Sequence, residues 1–314
     1  MRALLLVLVT LAAAWLPSVA AGYGWPLKPF NRPHPIRGSF GDPRYHLGPE
    51  SELSSFHFGV DIAARDGTAV YAVEPGYVHA YSGRLTVTAR SGREFGYWHV
   101  HPVVKTGRHV RRHQLLGRII ATWGHVHFSE SFRGVYKDPL RRWALTPFRD
   151  SAAPIVDMLR LVNDSGGSVD PQHVTGGLSF VIGAWDAPPI PPRSPWEVAR
   201  LAPSAIWWTL SVPNGVFASS LVADFAVGIP PSSLYGWIYA PGTYQNKAHR
   251  PGSYLFWGAR SLDTGGYPDG RYQLVVSARD DRGNIGTRAV DLQFANRTTS
   301  WTQTRPHSIR RSAQ

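Results

Sequence analysis

The sequence of 314 residues contains no cysteine. Disulfides and a lipid carried on cysteine are thereby excluded, and the fold has to rest on a buried apolar core, for which the chain is long enough. The helix-borne H-E-x-x-H pattern is also missing, so no glutamate can be assigned as a base in that way. Beyond the first residues, nothing approaches the roughly eighteen consecutive apolar residues of a spanning helix. Acidic residues are few, 21 against 33 Lys and Arg, which leaves a formal charge of +12.

What is present begins with Met1-Arg2, an apolar run from Ala3 to Leu16, and Pro17-Ser-Val-Ala20. These are the three regions of a secretory signal peptide, expected at 1–21, with an uncleaved anchor as the alternative. For an exported chain, the positive charge favours anionic polymers, which outside a cell means wall polymers or acidic glycans. The only dense basic runs, Arg108 to Arg112 and Lys137 to Arg142, sit in no recognisable nucleic-acid motif, so nucleic acid is not expected as a partner.

Two histidine-bearing segments carry the chemistry. His57-Phe-Gly-Val-Asp61 and His125-Val-His127 supply the neutral imidazoles and the carboxylate that bind zinc. Three protein ligands would leave one position open, the layout of a catalytic site. On a flat strand four residues cover roughly 13 Å, too far for His57 and Asp61 to share one ion bound at about 2 Å. A bend is therefore expected between them, and Gly59 can supply it. His125 and His127 need none, because alternate residues of a strand share a face. A second pair, His99-Val-His101, could face the same cleft by the same alternation.

From about Trp25 to about Pro147 the chain resembles the lysostaphin-type (LytM-like) zinc endopeptidases of peptidoglycan. The likeness runs through Gly38-Ser-Phe-Gly-Asp-Pro-Arg44, His57-Phe-Gly-Val-Asp-Ile-Ala63, Gly67-Thr-Ala-Val70, Ala72-Val-Glu-Pro-Gly-Tyr-Val78, Gly96-Tyr-Trp-His99, Val110-Arg-Arg-His-Gln-Leu-Leu-Gly117 and His125-Val-His-Phe128. It implies His57, Asp61 and His127 as ligands of Zn2+, His99 and His125 as non-ligand catalytic histidines, and His101 as a rim or satisfied polar residue. The sequence departs from the family where the loop before the last His-x-His is cut to Ile120-Ala-Thr-Trp-Gly124, and in the additional His101. The first departure bears on substrate choice, since that loop borders the groove.

The expected fold is all-β, an antiparallel β-sheet metallopeptidase domain followed by an immunoglobulin-like β-sandwich. Strand patterns fall at Ala69 to Tyr81, broken at Glu74-Pro75-Gly76, and at Leu85 to Ala89, Phe95 to Val100, Leu115 to Trp123 and His125 to Phe128. Beyond residue 150, Ile155 to Val162 reads as a strand or one helical turn, and about seven short strands follow to Phe294. Tyr267 through Asn284 resembles the closing hairpin of bacterial immunoglobulin-like modules. The layout is then signal peptide 1–21, metallopeptidase 22–150, linker or first strand 151–176, sandwich 177–297 and a basic tail 298–314.

Composition and resemblance together imply a secreted or periplasmic, wall-associated endopeptidase acting on peptidoglycan or another anionic wall polymer. No membrane span is expected after signal removal, and no pattern speaks to oligomeric state. Two alternatives stay open: a non-catalytic wall protein that activates another hydrolase, and a surface-binding sandwich carried by the first domain.

Overall fold

The computed structural model describes residues 22–44, 55–212 and 215–296. The expected signal peptide and basic tail lie outside these residues. The described chain is mostly β, with antiparallel sheets. No described helix is long and apolar enough to cross a membrane.

In the first half, the strand period of two sorts side chains between core and solvent. Along Gly76–Tyr81, for instance, Val78 is buried while Tyr77 and His79 are exposed. The main sheet runs Ile36–Gly38, Val60–Ala63, His125–Phe132, Arg93–Trp98, Arg84–Ala89, Gly76–Tyr81, His109–Val110. Val135–Lys137 pairs with the far end of His125–Phe132. A smaller sheet orders Ala69–Tyr71, Leu115–Ile119 and Val100–Pro102. Trp25, Ile62, Phe95, Tyr97, Val126 and Phe128 fill the core of this half. The strand that carries His125 and His127 lies inside the sheet and is buried over nearly its whole length.

Two expected strands end earlier than the pattern suggested. The run through Val100 breaks at His99, which has a left-handed φ of 62°, because Arg93–Trp98 belongs to the large sheet and Val100–Pro102 to the small one. The run through Trp123 stops at Ile119, and residues 120–124 form a tight loop with Thr122 at φ 75°. The Asp66 carboxylate holds that loop by accepting from the backbone N–H of Thr122 and Gly124, both at 2.8 Å.

The second half begins with Ile155–Asn163, a strand rather than a helical turn. It forms a three-stranded sheet with Gly177–Trp185 and Leu255–Asp263. A four-stranded sheet orders Gly215–Asp224, Ala205–Val212, Gly270–Arg279 and Ile285–Phe294. Phe180 and Ile182 of one sheet meet Ile206, Leu274 and Val276 of the other in a common core. Trp208 bridges the layers by donating from Nε1 to Gly258 O at 2.7 Å. Trp208, Tyr235 and Tyr239 are buried, while Trp237 is largely exposed, at 65%. The Asp280 carboxylate accepts from Arg282 N and Asn284 N of its own hairpin turn.

The halves do not meet as separate cores. Phe40 and Phe56 of the first half lie in the core of the second, beside Phe225 and Tyr239, and Leu201 of the second lies in the core of the first. Gly41 sits at φ 88°, and a Cβ there would run into the Phe225 ring, so backbone and packing both require glycine. Around it the Ser39 to Asp42 turn is fastened across the boundary. Ala202 N donates to Asp42 Oδ1 at 2.8 Å and to Ser39 Oγ at 3.0 Å, and Tyr239 donates from its hydroxyl to Gly41 O at 2.8 Å.

Candidate metal centre

Strand register brings the expected ligands together. Asp61 on Val60–Ala63 lies opposite His127, and His127 lies opposite Trp98. His57 precedes that strand, and the chain bends at Gly59 before entering it. The glycine is needed for space rather than for a left-handed backbone, since a Cβ at Gly59 would collide with Phe128 O and the His127 ring.

His57 Nε2, Asp61 Oδ1 and His127 Nδ1 converge. The two nitrogens are 2.7 Å apart, and each lies 3.2 Å from the carboxylate oxygen. Ligand atoms held about 2.0–2.1 Å from a tetrahedral zinc are roughly 3.3 Å from one another, so the triangle has nearly the right size. The donors also fit chemically. His57 donates from Nδ1 to Ser39 O at 2.7 Å, which leaves a lone pair on Nε2 facing the other two atoms. Burial holds His57 below its usual value, with the Arg44 charge adding to the effect, and burial lowers His127 to about 4. Both imidazoles are therefore neutral near pH 7 and free to ligate. Burial would raise Asp61, but His57, His125 and Arg44 outweigh it and keep the carboxyl ionised, well below the ordinary range. A cation at the centre of the triangle would satisfy all three groups together.

Around the triangle are residues that sequence reasoning missed. Arg44 donates from Nη2 to Asp61 Oδ2 at 2.8 Å, turning the other oxygen towards the histidines, and is itself 3.6 Å from Asp42. Arg44 belongs to the Gly38 to Arg44 motif, so its presence was visible in the sequence while its direction was not. Arg37 places Nη2 2.6 Å from His125 Nδ1. Its guanidinium stacks 3.9 Å over the Trp196 ring, a contribution of the second half that no local pattern could have indicated.

The two expected catalytic histidines flank the metal site. His125 sets Nε2 3.4 Å from Asp61 Oδ1 and Nδ1 2.7 Å from Trp123 O. His99 lies flat on Trp123, ring centroids 3.5 Å apart, with His125 at 4.6 Å. Burial, with the His125 charge next, lowers His99 to about 3, so it is neutral at working pH. Its left-handed backbone is strain of the kind that gathers at functional sites. His101 does not join them. It is exposed and pairs along Arg118 in the small sheet, so the break at His99 separates two histidines that strict alternation would have placed side by side.

These residues line a cavity of about 490 Å³ that also reaches Phe58, Trp98, Gln245 and Asn246. The shortened loop contributes Trp123 to this wall.

Residues 55–139 match the model of peptidase family M23. No curated protein matches the chain. Among solved structures, the chain is similar to pseudoalterin, described as a novel M23 metalloprotease from the deep sea, at 19% identity over 40% of this chain and 79% of that one, with a TM-score of 0.29. It is also similar to the catalytic domain of the prophage-encoded M23 protein EnpA from Enterococcus faecalis, at 23% identity over 37% and 88%, with a TM-score of 0.27. A third likeness is to the SpoIIQ-SpoIIIAH pore forming complex, at 19% identity over 38% and 90%, with a TM-score of 0.32. Residues 55–139 thus carry an M23-type peptidase domain, the family that the sequence motifs resemble.

Proposed function

We propose that the protein is an exported, zinc-dependent endopeptidase that hydrolyses peptide bonds in peptidoglycan cross-links or stems. The observation that carries this reading is the triangle of His57 Nε2, Asp61 Oδ1 and His127 Nδ1 beside two further histidines in one groove. A protein that used the groove only for binding would have no need of three converging ligands.

Zinc held by these residues supplies Lewis acidity towards a peptide carbonyl and towards water. The chain's own groups supply the proton handling. His125 Nδ1 has two competing neighbours, Trp123 O, which calls for a proton on that nitrogen, and the Arg37 guanidinium, which calls for a lone pair. With the proton on Nδ1, Nε2 faces the site as an acceptor. With Arg37 donating, Nε2 carries the proton and faces the site as a donor. Hydrolysis needs a base for the attacking water and an acid for the leaving amine; with the Nδ1 proton kept on Trp123 O, Nε2 can take the water's proton and hand that same proton to the amine. His99, uncharged and held by Trp123, is placed to donate a hydrogen bond to a developing oxyanion. Phe58, Trp98 and Trp123 give the groove apolar walls that limit water around the reacting bond.

The second half is read as an immunoglobulin-like module. Its three- and four-stranded sheets support this, as does Tyr272, whose hydroxyl donates to Pro268 O at 2.8 Å, the backbone contact of a tyrosine corner.

Mass spectrometry of fragments released from purified peptidoglycan tests the reading. New pairs of free amino and carboxyl groups are expected, lost on chelation and regained with zinc. Cleavage confined to glycan bonds, or release unaffected by chelation, would overturn it.

A further inference from the structure

The groove has two walls of different origin. One comes from the peptidase strands and the 120–124 loop, the other from Trp196, Gln245 and Asn246 of the second half. Two polar groups in it lack the partner their chemistry calls for. Arg37 is half-buried and lies against the Trp196 ring and His125, yet no carboxylate is within ion-pairing distance of it among the described residues. Arg44, close by, differs in having both Asp42 and Asp61. Burial pushes the Arg37 guanidinium down to about 10, against the pull of the Asp61 and Asp66 charges. Gln245 Oε1 is buried with no hydrogen-bond donor among the described residues.

A half-buried cation without a counter-ion and a buried carbonyl without a donor are both costly when nothing answers them. A ligand carrying a carboxylate and an N–H would answer both. We infer that Arg37, clamped on Trp196, and Gln245 form a subsite for a free carboxylate and a neighbouring N–H of the peptide substrate. The inference rests on the peptidase reading only in taking its ligand to be the substrate of the same groove. Trp196 is the part that makes the subsite selective. Stacking fixes the plane of the guanidinium, Nη2 lies against His125 Nδ1, and the N–H donors that remain on this fixed fork match a carboxylate in a way that a flexible ammonium cannot. An anionic polymer bound through phosphate would gain from Arg37 but would place acceptor oxygens against Gln245 Oε1, so a peptide carboxylate with its amide fits better. The second half would then set which peptides enter, in the place where the shortened 120–124 loop gives less wall.

The test uses the full chain loaded with zinc and two probes, disaccharide-tetrapeptide muropeptides with free carboxylates and the same muropeptides with those groups converted to carboxamides. Where turnover is seen, kcat and KM are measured for each. Where none is seen, equilibrium affinity is measured by calorimetry. The carboxylate form should be favoured on the order of 10–100-fold in KM or affinity, as for a charge-assisted pair. Arg37→Gln should erase that preference by weakening the carboxylate form alone, and Trp196→Ala should reduce it. Any loss of kcat in Arg37→Gln through His125 would strike both probes equally and leaves the ratio readable. Tighter binding of the carboxylate form without cleavage of either probe would uphold the subsite and sink the peptidase reading. Cleavage of both with equal KM, or no binding of either, would overturn the subsite, and the former would leave the peptidase reading intact. Competition by a phosphate polymer that disappears in Arg37→Gln, with no carboxylate preference, would also overturn it.

Discussion

The two halves differ in what their polar groups do. In the first, the polar side chains on the inner ends of the strands converge on one point, and His57 and Asp61 of the triangle are each held from outside it, by Ser39 O and Arg44. In the second, buried polar groups mostly serve the fold, as Trp208 does between the sheets and Asp280 in its turn. The boundary between chemistry and support does not follow the chain. His57 is fixed by Ser39 O, and the Ser39 to Asp42 turn is in turn held by Ala202 N and Tyr239 of the second half. Supporting partners of metal ligands govern their orientation and basicity. The second half is therefore part of the metal site's framework as well as a neighbour of its groove.

The comparison can be broken most sharply at the ligands. His57→Ala or His127→Ala should lose zinc and all measurable hydrolysis, as read by metal analysis and muropeptide digestion. Next, His125→Ala should keep its zinc, because the triangle is intact, while turnover falls on the order of 10²–10⁴-fold if it moves a proton. A His125 variant that loses metal would place it among the ligands instead. Asp42→Asn, which weakens the fastening to Ala202 and the ion pair with Arg44, should cost about 10–100-fold in zinc affinity or turnover. Unchanged affinity in a folded Asp42→Asn protein would separate the halves again.

A smaller effect concerns the junction itself. Burial, with Asp150 and Asp280 adding to it, raises Asp186 to about 7 from an ordinary 3.8. Between those values the folded chain holds a proton that the unfolded chain has lost. The associated stability is full below 3.8 and is lost as pH rises through about 7. The thermal midpoint of Asp186→Asn relative to that of the parent should therefore rise between about pH 4 and about pH 8. The least effect is expected from His101→Ala, an exposed change within about 0.5 kcal/mol in stability, with turnover near that of the parent.

Much of the site was legible because its spacing obeys strand geometry. The i, i+2 placement of His125 and His127 and the bend between His57 and Asp61 follow from period and reach alone. His99 and His101 show where periodicity fails, since alternation assumes a continuous strand and this one changes sheets at a left-handed residue. The strands of the second half, expected to be short, run to eight to ten residues. Leu255–Asp263, for example, continues past its apolar start through Arg260 and Ser261 because its ladder with Gly177–Trp185 continues there. The layout expected from the sequence divides the chain at residue 150. Packing crosses that division, since Phe40 and Phe56 lie in the second core and Phe56 meets Phe225, a relation that no local pattern contains.

Zinc binding by residues 22–150 alone, compared with residues 22–296, tests most directly whether the second half holds the metal site. The longer chain should take up one zinc and cleave muropeptides, while the shorter one, with Phe40 and Phe56 uncovered and the Ser39 to Asp42 turn unfastened, should bind zinc weakly and fail to cleave. Equal zinc affinity and equal turnover in a folded 22–150 fragment would contradict the account.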